Sequence, residues 1–154
     1  MTTYNISKWD RRFLDLAKFI SHWSKDPSTK CGAVIADLRN RIISVGFNGF
    51  PVGVNDSEER LKDRETKYSL ILHAERNAIL FANQPLDGCR LYTYPFMPCD
   101  IDAAIIVQVG IAEVISPFAS VKHLERWAHK FELAHQIFNE GNVNLILTDY
   151  LGGR

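Results

Sequence analysis

Apolar residues recur at helical spacing near the start of the chain. Between Ser7 and Ser24, one face of such a helix collects six apolar side chains: Trp9, Phe13, Leu16, Ala17, Ile20 and Trp23. Charged residues fall on the opposite face, which is typical of an amphipathic helix. The polar stretch around Pro27 then interrupts the pattern and favours a loop. The spacing therefore predicts one helix over residues 7–24, followed by a loop.

Two short apolar runs follow this loop and predict a β-hairpin. The runs are CGAVIAD and RIISVGF, and only LRN separates them. The next stretch, from Asn48 to Thr66, is rich in Gly, Pro, Asp and Asn, and we predict a long loop there. Long ordered loops in compact domains often carry function.

The second half of the chain alternates between helical and extended patterns. In order, it predicts a helix at HAERNAILFA, a strand at CRLYTY, a turn at PFMPCD, a helix at DAAIIVQVG, a strand at AEVISP, a helix over 121–138 and a strand at NVNLILTDY. Alternation after a hairpin predicts an α/β sandwich of three layers, in which a mixed five-stranded sheet carries helices on both faces. With no repeat or linker in the sequence, we expect a single domain over residues 1–154.

The charge balance narrows the class of partner. Eighteen basic and eighteen acidic residues give a formal net charge of zero. Proteins that bind long nucleic acids usually carry an excess of positive charge, because they must neutralise phosphates. The composition therefore favours a small-molecule substrate or a protein partner over a long nucleic acid.

The pattern of apolar residues also bears on location. The start, MTTYNISKWDRR, has no apolar core of a signal peptide, and no apolar run approaches the ~20 residues of a membrane helix. Three cysteines are too few, and odd in number, for a disulfide framework. We therefore expect a cytoplasmic protein with no membrane partner.

Two short motifs bring together residue types that suit metal chemistry. His73-Ala74-Glu75 begins a predicted helix, and Pro98-Cys99 lies in a turn before another, which is where α/β sheets commonly place ligand sites. Individually, each residue has an ordinary structural explanation, such as a helix cap, a solvated charge or a buried thiol. Together they match the H-x-E and P-C pattern of zinc deaminases, in which His and Cys bind the metal and Glu moves protons.

Longer stretches carry a more specific resemblance, from Trp9 to about Asn144. They are WDRRF, SKDPSTKCGAVI, GFNGFPVGVND, KYSLILHAERNAI, GCRLYTYPFMPC and QVGIAEVI. With these motifs the sequence resembles the deoxycytidylate deaminases of the cytidine deaminase superfamily. The resemblance implies the αββαβαβαβ sandwich of that superfamily, which agrees with the order of elements predicted above.

The resemblance also implies roles for individual residues. His73 and Cys99 would be zinc ligands, and Glu75 would carry protons from the attacking water to the base and its leaving amine. Asn48 would hydrogen-bond the deoxyribose, and Ala74 would contact substrate.

The loop over residues 25–30 would lie near the nucleotide phosphate. Its candidate donors are Ser28 and Lys30, since a dianion needs hydrogen-bond donors and positive charge. A solvated loop between a helix and a strand would have the same composition, so both interpretations stay open.

One position departs from the family pattern, which places a second cysteine three residues after the first. Here that residue is Asp102. In one hypothesis Asp102 is a ligand, since zinc accepts carboxylate oxygen at about 2.0–2.2 Å, and such a site would also accept iron or manganese more readily. In a second, the metal is weakly held or lost. In a third, Asp102 only favours the helix dipole.

The function implied by the resemblance is zinc-dependent hydrolysis of dCMP to dUMP, which feeds thymidylate synthesis. It also implies a homo-oligomer and possible control by a deoxynucleoside triphosphate effector. Two alternatives remain open. One is a deaminase of another or modified nucleotide; the other is a metal-poor, inactive nucleotide-binding relative.

Overall fold

The computed structural model describes residues 5–150. The first four residues of the MTTYNISKWDRR stretch, and residues 151–154 of the predicted single domain, lie outside that range. The elements are α1 (Lys8–Ser21), β1 (Gly32–Ala36), β2 (Ile42–Phe47), α2 (Glu58–Lys62), α3 (Arg64–Leu70), α4 (Ala74–Leu80), β3 (Arg90–Tyr94), α5 (Asp100–Gln108), β4 (Glu113–Pro117), α6 (Val121–Glu140) and β5 (Asn144–Thr148).

The five strands form one mixed sheet in the order β2-β1-β3-β4-β5. Strand β1 pairs antiparallel with both β2 and β3. The pairs β3–β4 and β4–β5 are parallel, as the alternating second half of the sequence requires, because parallel strands need a crossover helix. The predicted hairpin and mixed five-stranded sheet are confirmed.

The two faces of the sheet carry separate apolar clusters. Alternate residues such as Ala33 and Ile35 face a core shared with α4, α5 and α6. Their neighbours Val34 and Ala36 face a second, smaller core under α1. Because successive side chains of a strand point to opposite faces, this division places helices on both faces, as predicted.

The long loop predicted between Asn48 and Thr66 is wrong in part. Helix α2 and the start of α3 lie in it. Ser57 and Asp63 cap them by accepting hydrogen bonds from the backbone N–H groups of Arg60 and Thr66. Both helices are short and mostly charged or polar, so they lack the apolar periodicity that indicates a helix. The capping residues Ser57 and Asp63 are the only local signals of where they begin.

Gly46 allows α4 to approach the sheet closely. A Cβ atom at this residue would lie 2.3 Å from the carbonyl oxygen of Ala74 and 2.5 Å from the backbone nitrogen of Ala78. Both contacts are with backbone, which cannot rotate away. The glycine therefore sets the distance between β2 and the helix that follows His73.

The three cysteines, Cys31, Cys89 and Cys99, are free thiols. None of the helices within residues 5–150 has both the length and the apolar character that a bilayer-spanning segment requires.

Candidate active site

Two helix N-termini place the motif residues side by side. His73 is the N-cap of α4 and Cys99 is the N-cap of α5, and neither side chain bonds to the backbone of its own helix. The structural explanation of His73 as a helix-capping side chain therefore does not hold. Asp102 lies in the first turn of α5, fully buried at 1% exposure.

The side chains of His73, Cys99 and Asp102 converge on one point. Their ligand atoms all lie within 4.8 Å of one another. His73 Nδ1 is 2.6 Å from Asp102 Oδ2, and Cys99 Sγ is 3.0 Å from the same oxygen and 3.7 Å from His73 Nδ1. The other cysteines lie outside this group: Cys89 belongs to the core and Cys31 lines the adjoining cavity.

This donor set fits a zinc ion. Three protein ligands of the nitrogen, sulfur and oxygen type are the number found in catalytic zinc sites, which keep a fourth position open. Tetrahedral bonds of about 2.0–2.3 Å would separate the ligand atoms by roughly 3.3–3.8 Å. The Cys99–His73 separation of 3.7 Å already meets this requirement, and Asp102 would need to move outward by less than about 1 Å.

The neighbouring charges of His73, Asp102 and Arg76 stabilise one another and shift the pKa values of these groups. Burial lowers the pKa of His73, but its hydrogen bonds to Asp102 and Cys99 and the negative charge of Asp102 outweigh this effect and raise the pKa to about 10. Burial alone would raise the pKa of Asp102, yet His73 and Arg76 hold it below its usual range. A metal ion at Nδ1 would take the place of the imidazole proton, because ligands bind in their deprotonated form.

Glu75 lies in the same cavity, one helical position beyond Ala74. Its side chain is buried, at 7% exposure, and lines the cavity together with the three ligand residues. Burial and then the Asp102 charge raise the pKa of Glu75 to about 7. A carboxyl group with a pKa near neutrality is suited to both accepting and releasing a proton.

Arg76 is a contact that the sequence motifs did not reveal. Its Nε–H donates to Asp102 Oδ1 at 2.5 Å. Burial lowers the pKa of Arg76, and the Asp102 charge raises it above its ordinary value. The only signal in the sequence was its position, directly after Glu75 in HAERN, which does not by itself indicate a partner.

The cavity over the ligand group is small and leads outward. The inner cavity, of about 60 Å³, is lined by the site residues and by Asp26, Asn48, Lys67, Phe96 and Met97, among others. Tyr68, Arg126 and Trp127 connect it to an outer cleft of about 450 Å³. This cleft lies within the ~300–1,000 Å³ typical of small-molecule sites.

The outer cleft has a positive lining. It contains Arg76, Arg126 and Lys130, and the described residues that line it include no aspartate or glutamate. Arg126 also stacks over Trp127, at 5.6 Å from the ring centroid. Because Arg76 is paired with Asp102, an anionic group in this cleft would meet chiefly Arg126 and Lys130.

The structure places two of the four residues predicted to contact substrate in the lining of the inner cavity. Asn48 and Ser28 line the inner cavity. Lys30 does not, because its Nζ donates to the carbonyl oxygen of Ser24 at 2.7 Å. Ala74 is fully buried and lies outside the lining residues.

Asn48 is tied into the loop before β1 by its side chain. Its Oδ1 accepts from the backbone N–H of Cys31 at 2.8 Å. Its Nδ2 donates to Thr29 O at 2.9 Å and to Asp26 Oδ2 at 3.3 Å. Both donor hydrogens are therefore used within the protein, and one lone pair of Oδ1 is left.

Phe96 is an aromatic residue near the Pro98-Cys99 motif that lines the cavity, whereas Phe50 and Tyr94 do not. Phe50 lies in a different cleft under Arg60, and Tyr94 packs against Tyr150 in the core under α1. The sequence missed Tyr68 and Trp127, which also line the cavity. Trp127 falls on the apolar stripe of α6, where core packing is the ordinary explanation.

Comparison with known proteins agrees with this geometry. The model of the cytidine and deoxycytidylate deaminase zinc-binding region matches residues 7–117, a range that contains both motifs and Asp102. The chain belongs to this family. The resemblance predicted from the sequence motifs is thereby confirmed.

Individual relatives within the family are similar over most of the chain. An uncharacterized deaminase in the luxG 3′ region of Aliivibrio fischeri is 47% identical over 140 residues, covering 91% of this chain and 93% of the relative. The deoxycytidylate deaminase of Homo sapiens is 35% identical over 145 residues, covering 88% and 77%.

A crystal structure shares the fold. The dCMP deaminase of cyanophage S-TIM5, solved in complex with dCMP and dUMP, superimposes with a TM-score of 0.73. It is 20% identical to this chain and covers 94% of it and 100% of the phage protein. The match confirms the predicted three-layer deaminase fold.

Proposed function

We propose that this protein hydrolyses dCMP to dUMP and ammonia, with a zinc ion held by His73, Cys99 and Asp102. The observation that carries the proposal is the convergence of these three ligand atoms within 4.8 Å, in a cavity that Glu75 also lines. Relatives that are named deoxycytidylate deaminases support the choice of substrate. The same family supports zinc as the metal.

Glu75 carries out the proton transfers in this proposal. When bound, zinc lowers the pKa of a water molecule so that it can act as a nucleophile at neutral pH. Glu75 takes a proton from the attacking water and delivers it to N3 of the cytosine as the oxygen adds to C4. It then takes the second proton from the hydroxyl now on C4 and passes it to the exocyclic amine, so that C4=O forms as the C4–N bond breaks and ammonia leaves. Its burial keeps the carboxyl pKa near 7, where both transfers are possible.

The reacting edge of the pyrimidine is assigned to the inner cavity of about 60 Å³, and the rest of the base and the sugar are assigned to its opening toward the outer cleft. Phe96 and Trp127 supply apolar ring surfaces in its lining, to which a flat base can pack. Asn48 keeps a lone pair of Oδ1 for a sugar hydroxyl, since only Cys31 donates to that oxygen. The hydroxyl of Ser28, which also faces the cavity, is proposed as a further substrate contact.

The phosphate is assigned to the outer cleft. Arg126 and Lys130 line it, whereas the amine of Lys30 is engaged by Ser24. Lys67 also reaches the inner cavity, but its charge is paired with that of Asp26. We therefore propose Arg126 and Lys130, in place of Lys30, as the cations that meet the phosphate.

Arg126→Met should raise the KM for dCMP by roughly tenfold, the size of one charge-assisted hydrogen bond in a partly solvated cleft. The KM for deoxycytidine, which has no phosphate, should change little. Steady-state kinetics on both substrates measures the difference. Arg12→Met is a matched control, because Arg12 also stacks over a tryptophan, Trp9, at 4.6 Å. An equal rise for both substrates would contradict the assignment.

The function itself is tested by ammonia release from dCMP. We expect turnover by the zinc-reconstituted protein, and also by Asp102→Cys, because a thiolate is an equally good zinc ligand. A coupled ammonia assay follows both proteins, with deoxycytidine, CMP and dAMP as comparison substrates.

The other results of this assay point to the alternative functions. Turnover by the cysteine variant alone would contradict catalysis by the natural chain and favour a metal-poor relative. Turnover of a different nucleotide by both proteins would reassign the substrate. Absence of any turnover, together with nucleotide binding, would favour a binding protein.

Three further expectations stay predictions. They are a homo-oligomer, a deoxynucleoside triphosphate effector and a cytoplasmic location. Three neighbouring aromatic side chains are exposed: Phe19 on α1, Trp23 just after α1 and Phe47 on β2. Such a surface is compatible with contact between copies of the chain.

A further inference from the structure

The carboxylate of Asp102 divides its two oxygens between different partners. Oδ2 faces His73 Nδ1 at 2.6 Å and Cys99 Sγ at 3.0 Å. Oδ1 points the other way and accepts from Arg76 Nε at 2.5 Å. One oxygen therefore belongs to the ligand group, and the other is held by a cation outside it.

A carboxylate at this position needs such a partner, whereas a thiolate does not. A cysteine offers a single donor atom. An aspartate has two equivalent oxygens, can bind a metal through one or both, and rotates about its terminal bond over a broad range. Asp102 is also almost completely buried, at 1% exposure, and a buried carboxylate oxygen without a hydrogen bond is costly.

The position and chemistry of Arg76 suit it to hold the Oδ1 atom of Asp102. It is on α4, three residues after His73 and thus on the adjacent helix turn. Its guanidinium is always charged and presents fixed, planar N–H donors that match carboxylate geometry. Its side chain is itself mostly buried, at 21% exposure, so bulk water screens the contact only in part.

We propose that Arg76 is a positioning residue that fixes Asp102 as a one-oxygen metal ligand, where the zinc deaminases have their second cysteine. Arg76 holds Oδ1 and so leaves Oδ2 directed at the ligand group. The inference rests on the metal site proposed above. With Oδ1 held in this way, an aspartate at this position presents one oxygen in a fixed direction, as a cysteine does with its single sulfur atom.

The test compares zinc affinity in two backgrounds. Arg76→Met is made in the natural chain and in Asp102→Cys, and zinc dissociation constants are measured by competition with a chromophoric chelator. In the natural chain we expect zinc binding to weaken by about 10–100-fold, as for the loss of other groups that orient a ligand. In Asp102→Cys the loss should be clearly smaller, because the thiolate has no second oxygen to hold.

Two further variants separate orientation from charge and from folding. Arg76→Lys keeps the positive charge but not the planar Nε–H donor, so we expect it to weaken zinc binding in the natural chain as well. Arg39→Met removes an exposed arginine in the turn before β2 and should leave affinity unchanged. Thermal unfolding of each metal-free protein reports whether the variant is folded.

The outcomes are distinct. Zinc binding by Arg76→Met or Arg76→Lys as tight as that of the natural chain would overturn the proposal while leaving the metal site intact. An equal loss in both backgrounds would overturn it too, since Arg76 would then act on something other than the carboxylate. If the natural chain holds no zinc, the metal site fails, and the role of Arg76 fails with it.

Discussion

Glu75→Gln is expected to lower kcat for dCMP by at least about 10²–10⁴-fold, the contribution typical of a general acid–base group. Glutamine has nearly the same shape as glutamate but cannot take up a proton at neutral pH. Neither proton transfer assigned to Glu75 can then occur. Binding of dCMP should change far less, because the volume of the side chain is kept.

The environment of Glu75 allows glutamine to replace it with little expected effect on folding. The side chain is 7% exposed, and burial raises its pKa to about 7, so the neutral carboxyl group that glutamine imitates is already accessible near neutral pH. The variant should therefore fold without a new unpaired charge. This distinguishes it from the ligand residues, whose replacement would disturb the metal site itself.

Rate, binding and metal content are measured together. A coupled ammonia assay gives kcat, calorimetric titration gives the Kd of dCMP, and elemental analysis gives the zinc content. Glu65→Gln, in the first turn of α3, serves as a control for loss of a carboxylate outside the cavity. Full activity of Glu75→Gln with normal zinc content would remove Glu75 from the proposed mechanism.

The architecture could be predicted from the sequence because its signals are local and repeated. The stripe of α1, the two runs of the hairpin and the alternation of the second half each indicate one element. The capping box of α1 adds to this, since Ser7 and Asp10 bond reciprocally to each other's backbone N–H groups. The order of elements then leaves few ways to arrange the sheet.

The short helices α2 and α3 escaped prediction for the opposite reason. Their five and seven residues are mostly charged or polar, so neither shows the apolar repeat that marks a helix. What orders them is tertiary: Leu61 and Lys67 are buried against the rest of the domain. Such packing cannot be inferred from the composition of a segment.

The sequence motifs indicated the residues that the structure brings together at the candidate site, but not the side chains that contact and hold them. His73, Glu75 and Cys99 could be found because their spacing along the chain is a motif. Arg76 contacts Asp102 across 26 positions of sequence, and Lys67 contacts Asp26 across 41. Contacts of this kind depend on how distant parts of the chain pack together, and no local sequence pattern indicates that packing.

The phosphate assignment shows the same limit. Lys30 was a candidate phosphate contact implied by the family resemblance, in a loop that could equally have been only solvated. The structure turns its amine to the carbonyl oxygen of Ser24 and presents Arg126 and Lys130, from the distant α6, to the cleft instead. Which cation faces a cavity is decided by the tertiary fold.

The buried ion pair between Asp26 and Lys67 should dominate the stability of this region. Lys67 Nζ lies 3.2 Å from Asp26 Oδ1, and both side chains are almost fully buried, at 6% exposure for Lys67 and 7% for Asp26. Asp26 Oδ1 also accepts from the backbone N–H of Ser28 at 2.7 Å, and Lys67 Nζ donates to the Ser28 hydroxyl at 3.1 Å. The pair thus joins α3 to the loop before β1.

Lys67→Met is expected to lower the free energy of unfolding by about 3–5 kcal/mol, because it leaves the Asp26 carboxylate buried without its counter-charge. Methionine fills a similar volume, so packing changes contribute little. Adding Asp26→Asn should recover part of this loss, since the double variant no longer buries an unpaired charge. Urea denaturation followed by tryptophan fluorescence measures all three proteins.

The matched control is an ion pair of the same chemistry at the surface. Lys62 and Glu58 are 2.6 Å apart but 62% and 82% exposed, and breaking such a pair costs about 0–1 kcal/mol. We therefore expect Lys62→Met to unfold close to the natural protein. If Lys67→Met loses no more than Lys62→Met, the Asp26–Lys67 pair does not hold the loop, and the order of the cavity wall must come from Asn48 and its three hydrogen bonds.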